Sequence, residues 1–219
     1  MKVFITTIAM DRSSIAKGIL LRTYATTAAI VAALILFSCS RPQDPGTVQA
    51  ASLPAEPTQE QLIQRGSYLT TVMLCNDCHT PKIMTEHGPV LDTARRLSGH
   101  PSDEKLAPIP PNRPFVLFTP GLTAAVGPWG ASFAANLTPD PLGLGGWSYD
   151  QFKTAITHGK YRGIEGGRSL LPPMPWENLV NIHDEDARAI FAFLQSLKPI
   201  PNRVPAPIAP QDLILEKAM

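Results

Sequence analysis

Three segments of the chain repeat apolar residues at the three- and four-residue spacing of one helix face. The first begins near Thr58, where Thr58 and Gln61 fit a capping box. The apolar face of this segment includes Gly66, which a solvent-exposed helix would not favour, so we expect a close crossing with another helix there. The spacing predicts a helix whose face consists of Leu62, Gly66, Leu69 and Met73.

The two other helical segments lie in the second half of the chain. Ser148 and Gln151 fit a second capping box and Gly159 is a natural stop, which predicts a short helix between them. The third segment has the clearest pattern, with Asp184 as the predicted N-cap and Pro199 at its end. Its apolar face consists of Ala187, Ile190, Phe191, Leu194 and Leu197.

A proline-rich stretch, roughly residues 80–146, separates the first helix from the second. It contains no convincing strand pattern, and a short strand at Phe115 to Phe118 is the one exception left open. Loops of this length are uncommon unless they are functional or wrap around something. The pattern therefore predicts an all-α fold with long Pro-rich loops.

The first 40 residues have the pattern of an export signal. Basic residues precede an uncharged stretch whose apolar centre, Ala28 to Phe37, is about 10 residues long and too short for a typical spanning helix. The following Leu36-Phe37-Ser38-Cys39 resembles a bacterial lipobox, which implies cleavage before Cys39 and lipid attachment to its sulfur. The alternatives are an ordinary cleaved signal or an uncleaved anchor with Cys39 as a bystander.

These patterns divide the chain into four parts. We predict a lipoprotein-type signal peptide at 1–38, a flexible tether at 39–57, one main domain at 58–200 and a C-terminal extension at 201–219. The protein is then exported and held on the periplasmic side of a membrane by the lipid on Cys39.

Composition restricts the classes of function. The chain has 219 residues with a formal net charge of +1, which gives no basic surface for nucleic acid. Only 7% of the residues are aromatic while 23 are proline, so side chains alone fill a core with difficulty. The three cysteines, Cys39, Cys75 and Cys78, are an odd number and argue against a disulfide framework.

The strongest chemical signal is Cys75-Asn76-Asp77-Cys78-His79, a C-x-x-C-H motif. Two thiols three positions apart in a helical turn can form thioethers with the two vinyl groups of haem, and the next residue places an imidazole under the iron. A zinc site of this type is disfavoured because it needs a second ligand pair. A thioredoxin-like motif is disfavoured because it needs a βαβ context. One such motif predicts one covalently attached haem c.

At this point the chain resembles the class I c-type cytochromes, and in detail the cytochrome c subunits of bacterial periplasmic dehydrogenases. The resemblance covers roughly residues 58–200 and implies a cytochrome c fold, with helices wrapped around the haem. The matching features are Gly66, the Cys75–His79 motif, Gly88-Pro89-Val90-Leu91, Leu171-Pro172-Pro173-Met174-Pro175 and the helix at 184–197. Asn136-Leu137-Thr138-Pro139-Asp140 and the segment from Gly143 to Trp147 are similar to the dehydrogenase group.

The resemblance implies roles for individual residues. Cys75 and Cys78 hold the porphyrin, His79 and Met174 bind the iron, and the carbonyl of Pro89 orients His79. Among the methionines, Met73 and Met84 lie too close to the motif along the chain to reach the opposite face easily, which favours Met174. His100 is the second candidate for the distal ligand, and Trp176 is the tryptophan expected at the haem pocket.

The expected function is single-electron transfer between a donor, such as a dehydrogenase, and a respiratory acceptor, such as a terminal oxidase or a soluble cytochrome. No acid–base pair or nucleophile constellation indicates a reaction of the chain's own, so we expect an electron carrier and not an enzyme. The alternatives are a haem enzyme or a sensor of peroxide or gas with an open sixth site, and a subunit that carries electrons only inside a dehydrogenase complex.

Overall fold

A computed structural model describes residues 56–107 and 115–215. The predicted signal peptide 1–38, Cys39 and the tether 39–57 except for its last two residues lie outside the described residues. Within the described part, no helix is both long and apolar enough to cross a membrane.

The described chain contains five α-helices and five β-strands. In chain order they are α1 (Gln59–Val72), α2 (Cys75–His79), β1 (Lys82–Thr85), β2 (Gly88–Leu91), β3 (Leu117–Phe118), β4 (Ala124–Gly127), β5 (Gly130–Phe133), α3 (Tyr149–Thr157), α4 (Asp184–Ser196) and α5 (Asp212–Leu215). Short 3₁₀ turns lie at Thr93–Arg95, Tyr161–Gly163 and Trp176–Leu179.

The three predicted helices are present as α1, α3 and α4. Both capping boxes form, with Thr58 and Gln61 at the start of α1 and Ser148 and Gln151 at the start of α3. Gly159 follows α3 with a left-handed φ of +60°, as a C′ glycine does.

The start of α4 differs by one residue from the prediction. His183 is the N-cap, and it makes no side-chain capping bond. Asp184 lies inside the helix, and its carboxylate accepts hydrogen bonds from Lys153, Tyr149 and Arg188. The acid expected to cap α4 instead joins α4 to α3.

Helix α1 packs across α4, and Gly66 lies at the crossing as the sequence predicts. A Cβ on Gly66 would lie 2.0 Å from the backbone oxygen of Ala189 and 2.7 Å from Cβ of Phe193. The absence of a side chain thus lets the two backbones approach. The crossing belongs to a core formed by Leu69, Leu97, Leu144, Phe152, Ala189, Ile190, Phe193 and Leu194.

The prediction of an all-α fold is wrong, because the chain also forms two antiparallel sheets. Strands β1 and β2 form a hairpin directly after α2, and β3, β4 and β5 form a three-stranded sheet in that order. Of the Phe115–Phe118 stretch, only Leu117 and Phe118 pair with β4. The described part of the proline-rich segment therefore contains five short strands of two to four residues.

Two residues within 201–215, the described part of the predicted C-terminal extension, contact the three-stranded sheet. Ile208 forms an isolated antiparallel bridge with Ala131, with N–O distances of 2.8 and 3.0 Å. Leu213 of α5 is buried in a second apolar cluster with Val126 and Ala131. This segment covers the outer edge of β5.

Candidate functional site

The C-x-x-C-H motif folds into α2, a single short helix immediately after α1. Leu74 joins the two helices in the left-handed region, with a φ of +61°. Asn76 is buried inside α2 and accepts hydrogen bonds from Thr80 at 3.3 Å and from Arg96 at 3.1 Å. These contacts fix the turn that carries the two thiols and the imidazole.

His79 is oriented by a backbone carbonyl distant in sequence. Its Nδ1 lies 2.8 Å from the carbonyl oxygen of Ala135. A carbonyl oxygen only accepts, so Nδ1 carries the proton and donates it, which leaves the lone pair of the neutral ring on Nε2. Desolvation by burial lowers the pKa of His79, an effect that the Ala135 carbonyl opposes, and this favours the neutral ring.

Both thiols of the motif are free and half-buried. Burial raises the pKa of Cys75 to about 11 and also raises the pKa of Cys78 above its ordinary value. Both groups are therefore protonated thiols at neutral pH, and they lie one helical turn apart on α2.

Gly99 makes room for the carbonyl that His79 uses. Its N–H donates to the backbone oxygen of His79 at 2.8 Å. A Cβ on Gly99 would lie 2.7 Å from the Ala135 oxygen and 2.5 Å from the Ala134 oxygen, and the residue has a φ of +80°. Glycine is therefore required here for both space and backbone conformation.

Met174 lies half-buried in a loop that is tied to β5, the strand that leads into Ala135. Ser132 of β5 donates its hydroxyl to the carbonyl of Pro172 at 2.6 Å. Ala135, whose carbonyl accepts the hydrogen bond from His79, follows Ser132 by three residues. Strand β5 thus supports both the His79 contact and the Met174 loop, a connection that sequence analysis missed because it runs through the backbone.

Trp176 lies two residues after Met174, and its indole packs against the backbone of Gly159. A Cβ on Gly159 would lie 2.3 Å from two carbons of that indole. The backbone N–H of Trp176 donates to the carbonyl of Met174 at 3.0 Å. The Met174 loop is therefore anchored to the end of α3 as well as to β5.

For Pro89, the sequence expectation and the structure differ. Pro89 is exposed on β2, where it is paired with Met84. The carbonyl that accepts from His79 belongs to Ala135. The physical reason is that the β1–β2 hairpin begins three residues after His79. Residues Gly88–Leu91, which include Pro89, form strand β2 and pair with β1.

His100, the second candidate for a distal ligand, is fully buried, and both of its ring nitrogens have protein partners. Its Nδ1 lies 2.8 Å from Oγ1 of Thr123, and its Nε2 donates to the carbonyl of Glu104 at 3.1 Å. Its ring also packs on Phe133, with 4.8 Å between the ring centroids. This arrangement is typical of a core histidine whose polar atoms are satisfied.

The donor set of α2 fits a covalently bound haem. Such a group needs two thiols on one short turn and a neutral imidazole whose Nε2 is available, with Nδ1 held by a hydrogen bond. Cys75, Cys78 and His79 provide these features, and the His79–Ala135 hydrogen bond fixes the tautomer.

Comparison with known proteins finds relatives that share one description, the cytochrome subunit of a bacterial dehydrogenase. The chain is 29% identical over 157 residues to the gluconate 2-dehydrogenase cytochrome c subunit of Pantoea cypripedii, covering 71% of this chain and 28% of that protein. It is 27% identical over 155 residues to the alcohol dehydrogenase (quinone) cytochrome c subunit of Gluconobacter oxydans, covering 70% and 25%. It is 26% identical over 153 residues to the fructose dehydrogenase cytochrome subunit of Gluconobacter japonicus, covering 67% and 24%.

The chain spans about a quarter of the length of these relatives. No protein-family model matches it. The two relatives named as cytochrome c subunits align with about seven-tenths of this chain, and that name implies haem c. The chain is therefore similar in sequence to cytochrome subunits of bacterial dehydrogenases.

Proposed function

We propose that this protein is an exported c-type cytochrome with one haem, which carries single electrons from a dehydrogenase to a respiratory acceptor. The observation that carries the proposal is the arrangement on α2. Two free thiols lie one turn apart, and the next residue is an imidazole whose Nδ1 is held 2.8 Å from the Ala135 oxygen. The dehydrogenase donor is inferred from the relatives, which are named as dehydrogenase subunits.

In this proposal each residue of α2 has a separate task. Cys75 and Cys78 would hold the porphyrin through thioethers, each S–H adding across one vinyl group, and burial keeps both thiols protonated beforehand. His79 presents Nε2 to the iron while Ala135 holds Nδ1–H. When bound, haem supplies a reversible one-electron change between ferrous and ferric iron.

Met174 is the proposed distal ligand. Its loop is fastened at two points, through Ser132 to the carbonyl of Pro172 and through the indole of Trp176 on Gly159. A fastened loop favours the same coordination in both oxidation states, and a thioether ligand favours ferrous iron and raises the reduction potential. Trp176, two residues further on, is proposed to border the haem pocket.

Export is proposed from the signal-like pattern at 1–38, and the lipid anchor from Cys39. A terminal oxidase or a soluble cytochrome is the proposed acceptor. The lipid would hold the protein on the periplasmic face of a membrane, close to membrane-bound respiratory partners.

The test is the optical spectrum of the purified, oxidised, haem-loaded protein beside a Met174→Ala variant. We expect a weak long-wavelength sulfur-to-iron band in the unmodified protein and its loss in the variant. Met84→Ala is the matched control, because Met84 is an exposed residue of β1, and this variant should keep the band. A high-spin spectrum in the unmodified protein would overturn the electron-carrier proposal and favour chemistry at an open iron site.

A further inference from the structure

The Ala135 carbonyl lies in a segment that backbone hydrogen bonds hold on both sides to other parts of the chain. The N–H of Ala134 donates to Thr123, and the oxygen of Ala134 accepts from His100. The N–H of Leu137 donates to Leu97 at 2.8 Å. The Ala135 oxygen is left to face His79.

Asn136, the residue after Ala135, uses its whole carboxamide in hydrogen bonds. Its Oδ1 accepts from the backbone N–H of Thr138 at 2.9 Å and from the Thr138 hydroxyl at 2.7 Å. Its Nδ2 donates to the carbonyls of Ile200 at 2.8 Å and Asn202 at 3.3 Å. Asn136 as a whole is 3% exposed, so these bonds are shielded from water.

Two further residues complete the surroundings of Asn136. Thr138 is fully buried, and its Oγ1 also accepts from the N–H of Ile200 at 3.1 Å. Gly143 packs so closely that a Cβ on it would lie 3.0 Å from Cγ of Asn136. The Asn136 carboxamide therefore has one arrangement, and this arrangement fixes the peptide that begins with the Ala135 carbonyl.

We propose that Asn136, held by Thr138, is a positioning residue for His79. It acts through the Ala135 carbonyl and sets the strength of the His79 Nδ1–H hydrogen bond, and thereby the reduction potential. The part of this inference that concerns potential rests on the proposed haem function, whereas the part that concerns the His79 hydrogen bond does not.

The sign of the effect follows from the chemistry of imidazole. A strong hydrogen bond from Nδ1–H makes Nε2 a more basic ligand. A more basic ligand stabilises ferric iron relative to ferrous iron, which lowers the potential. Weakening the bond by disturbing Asn136 therefore raises the potential.

The experiment compares neutral substitutions, so that no new charge shifts the potential. Asn136→Ala removes all four carboxamide hydrogen bonds. Thr138→Val keeps the shape of the side chain but loses the hydroxyl, and Thr138→Ser restores the hydroxyl. Ser148→Ala is the control for reduced stability, because it removes the hydroxyl that accepts from the Gln151 N–H in the capping box of α3.

Two quantities are measured in each purified protein. The first is the reduction potential, by spectroelectrochemical titration. We expect Asn136→Ala and Thr138→Val to increase the equilibrium constant for reduction by about threefold to tenfold, the change that one hydrogen bond makes. Thr138→Ser and Ser148→Ala should leave it unchanged. Equal potentials in all variants would overturn the proposal and leave Asn136 with a purely structural role.

The second quantity is the exchange rate of the His79 Nδ1–H proton, followed by NMR whether or not the protein carries haem. Faster exchange in Asn136→Ala and Thr138→Val, but not in Ser148→Ala, supports the positioning role. Unchanged exchange overturns it. This readout separates the two proposals, because a protein without covalent haem would refute the cytochrome function while His79 exchange still decides the role of Asn136.

Discussion

Gly66 at the crossing of α1 and α4 provides a sharp test of the packing. In Gly66→Ala, the new Cβ would lie 2.0 Å from the Ala189 oxygen, 2.5 Å from the Ala189 carbonyl carbon and 2.7 Å from Cβ of Phe193. Two of these atoms belong to the backbone of α4 and cannot rotate away. The helices must therefore separate by more than an ångström, and the side chains buried between them lose contact.

The magnitude is a balance between two terms. Alanine in place of glycine favours the helix by about 1 kcal/mol. Overpacking against a fixed backbone costs about 3 kcal/mol. The expected net loss is about 2 kcal/mol in the free energy of unfolding. For a protein of this size, that corresponds to a fall in Tm of about 4–8 °C.

The assay is urea unfolding of the haem-loaded protein, followed by far-ultraviolet circular dichroism. Gly166→Ala is the matched control, because a Cβ at Gly166 meets no atom within 4 Å. The control should change the free energy of unfolding by less than about 0.5 kcal/mol. Gly66→Ala with stability equal to or above that of the unmodified protein would refute the close crossing.

Three further substitutions test other parts of the structure. Gly159→Ala places a Cβ against the Trp176 indole at a φ of +60°, so unfolding in urea should show a loss of about 2 kcal/mol, and an unchanged midpoint would contradict the contact. Hydrogen bonds, first from Lys153, hold the pKa of Asp184 well below its usual range. This carboxylate therefore contributes stability above its usual pKa, and that contribution is lost as the pH falls towards the folded value. Asp184→Asn should lower the Tm at neutral pH and flatten the decline of the Tm below about pH 5. A curve of Tm against pH that runs parallel to that of the unmodified protein would count against this role. Leu213→Ala should cost about 2 kcal/mol by opening a cavity beside β5, and calorimetry that shows no change would argue against that packing.

The helices were predictable because their signals are local. The two capping boxes, Thr58 with Gln61 and Ser148 with Gln151, lie within four residues of chain. The displaced cap of α4 was not predictable, because the partners of Asp184 include Tyr149 and Lys153 of another helix. Tertiary contacts there take precedence over a local capping preference.

The sheets escaped prediction for physical reasons that differ between them. Strands β4 and β5 are rich in alanine and glycine, which have low strand propensity, and most of their residues are buried without an alternating pattern. In the β1–β2 hairpin, the paired Ile83 and Val90 and the residues that follow them are exposed, so no apolar face is visible in the pattern.

The candidate site divides in the same way. The thiols and imidazole of α2 are visible from spacing, since all three lie within five residues. The partner of His79 is a backbone carbonyl of an alanine, and a carbonyl has no side-chain signature. The position of the Ala135 carbonyl depends on Asn136 and on residues around 200. These residues are far apart in the sequence, so the sequence alone does not show that they are neighbours.

The bonds from Asn136 to Ile200 and Asn202 also bear on the order in which parts of the chain fold. Helix α2 closes from five consecutive residues, whereas the Asn136–Ile200 bond joins residues 64 positions apart. A contact across so long a loop forms later in folding than a single helical turn, because the entropy cost of closing the loop comes first. In the proposed haem protein, the support of His79 would therefore be completed after the turn of α2 has formed.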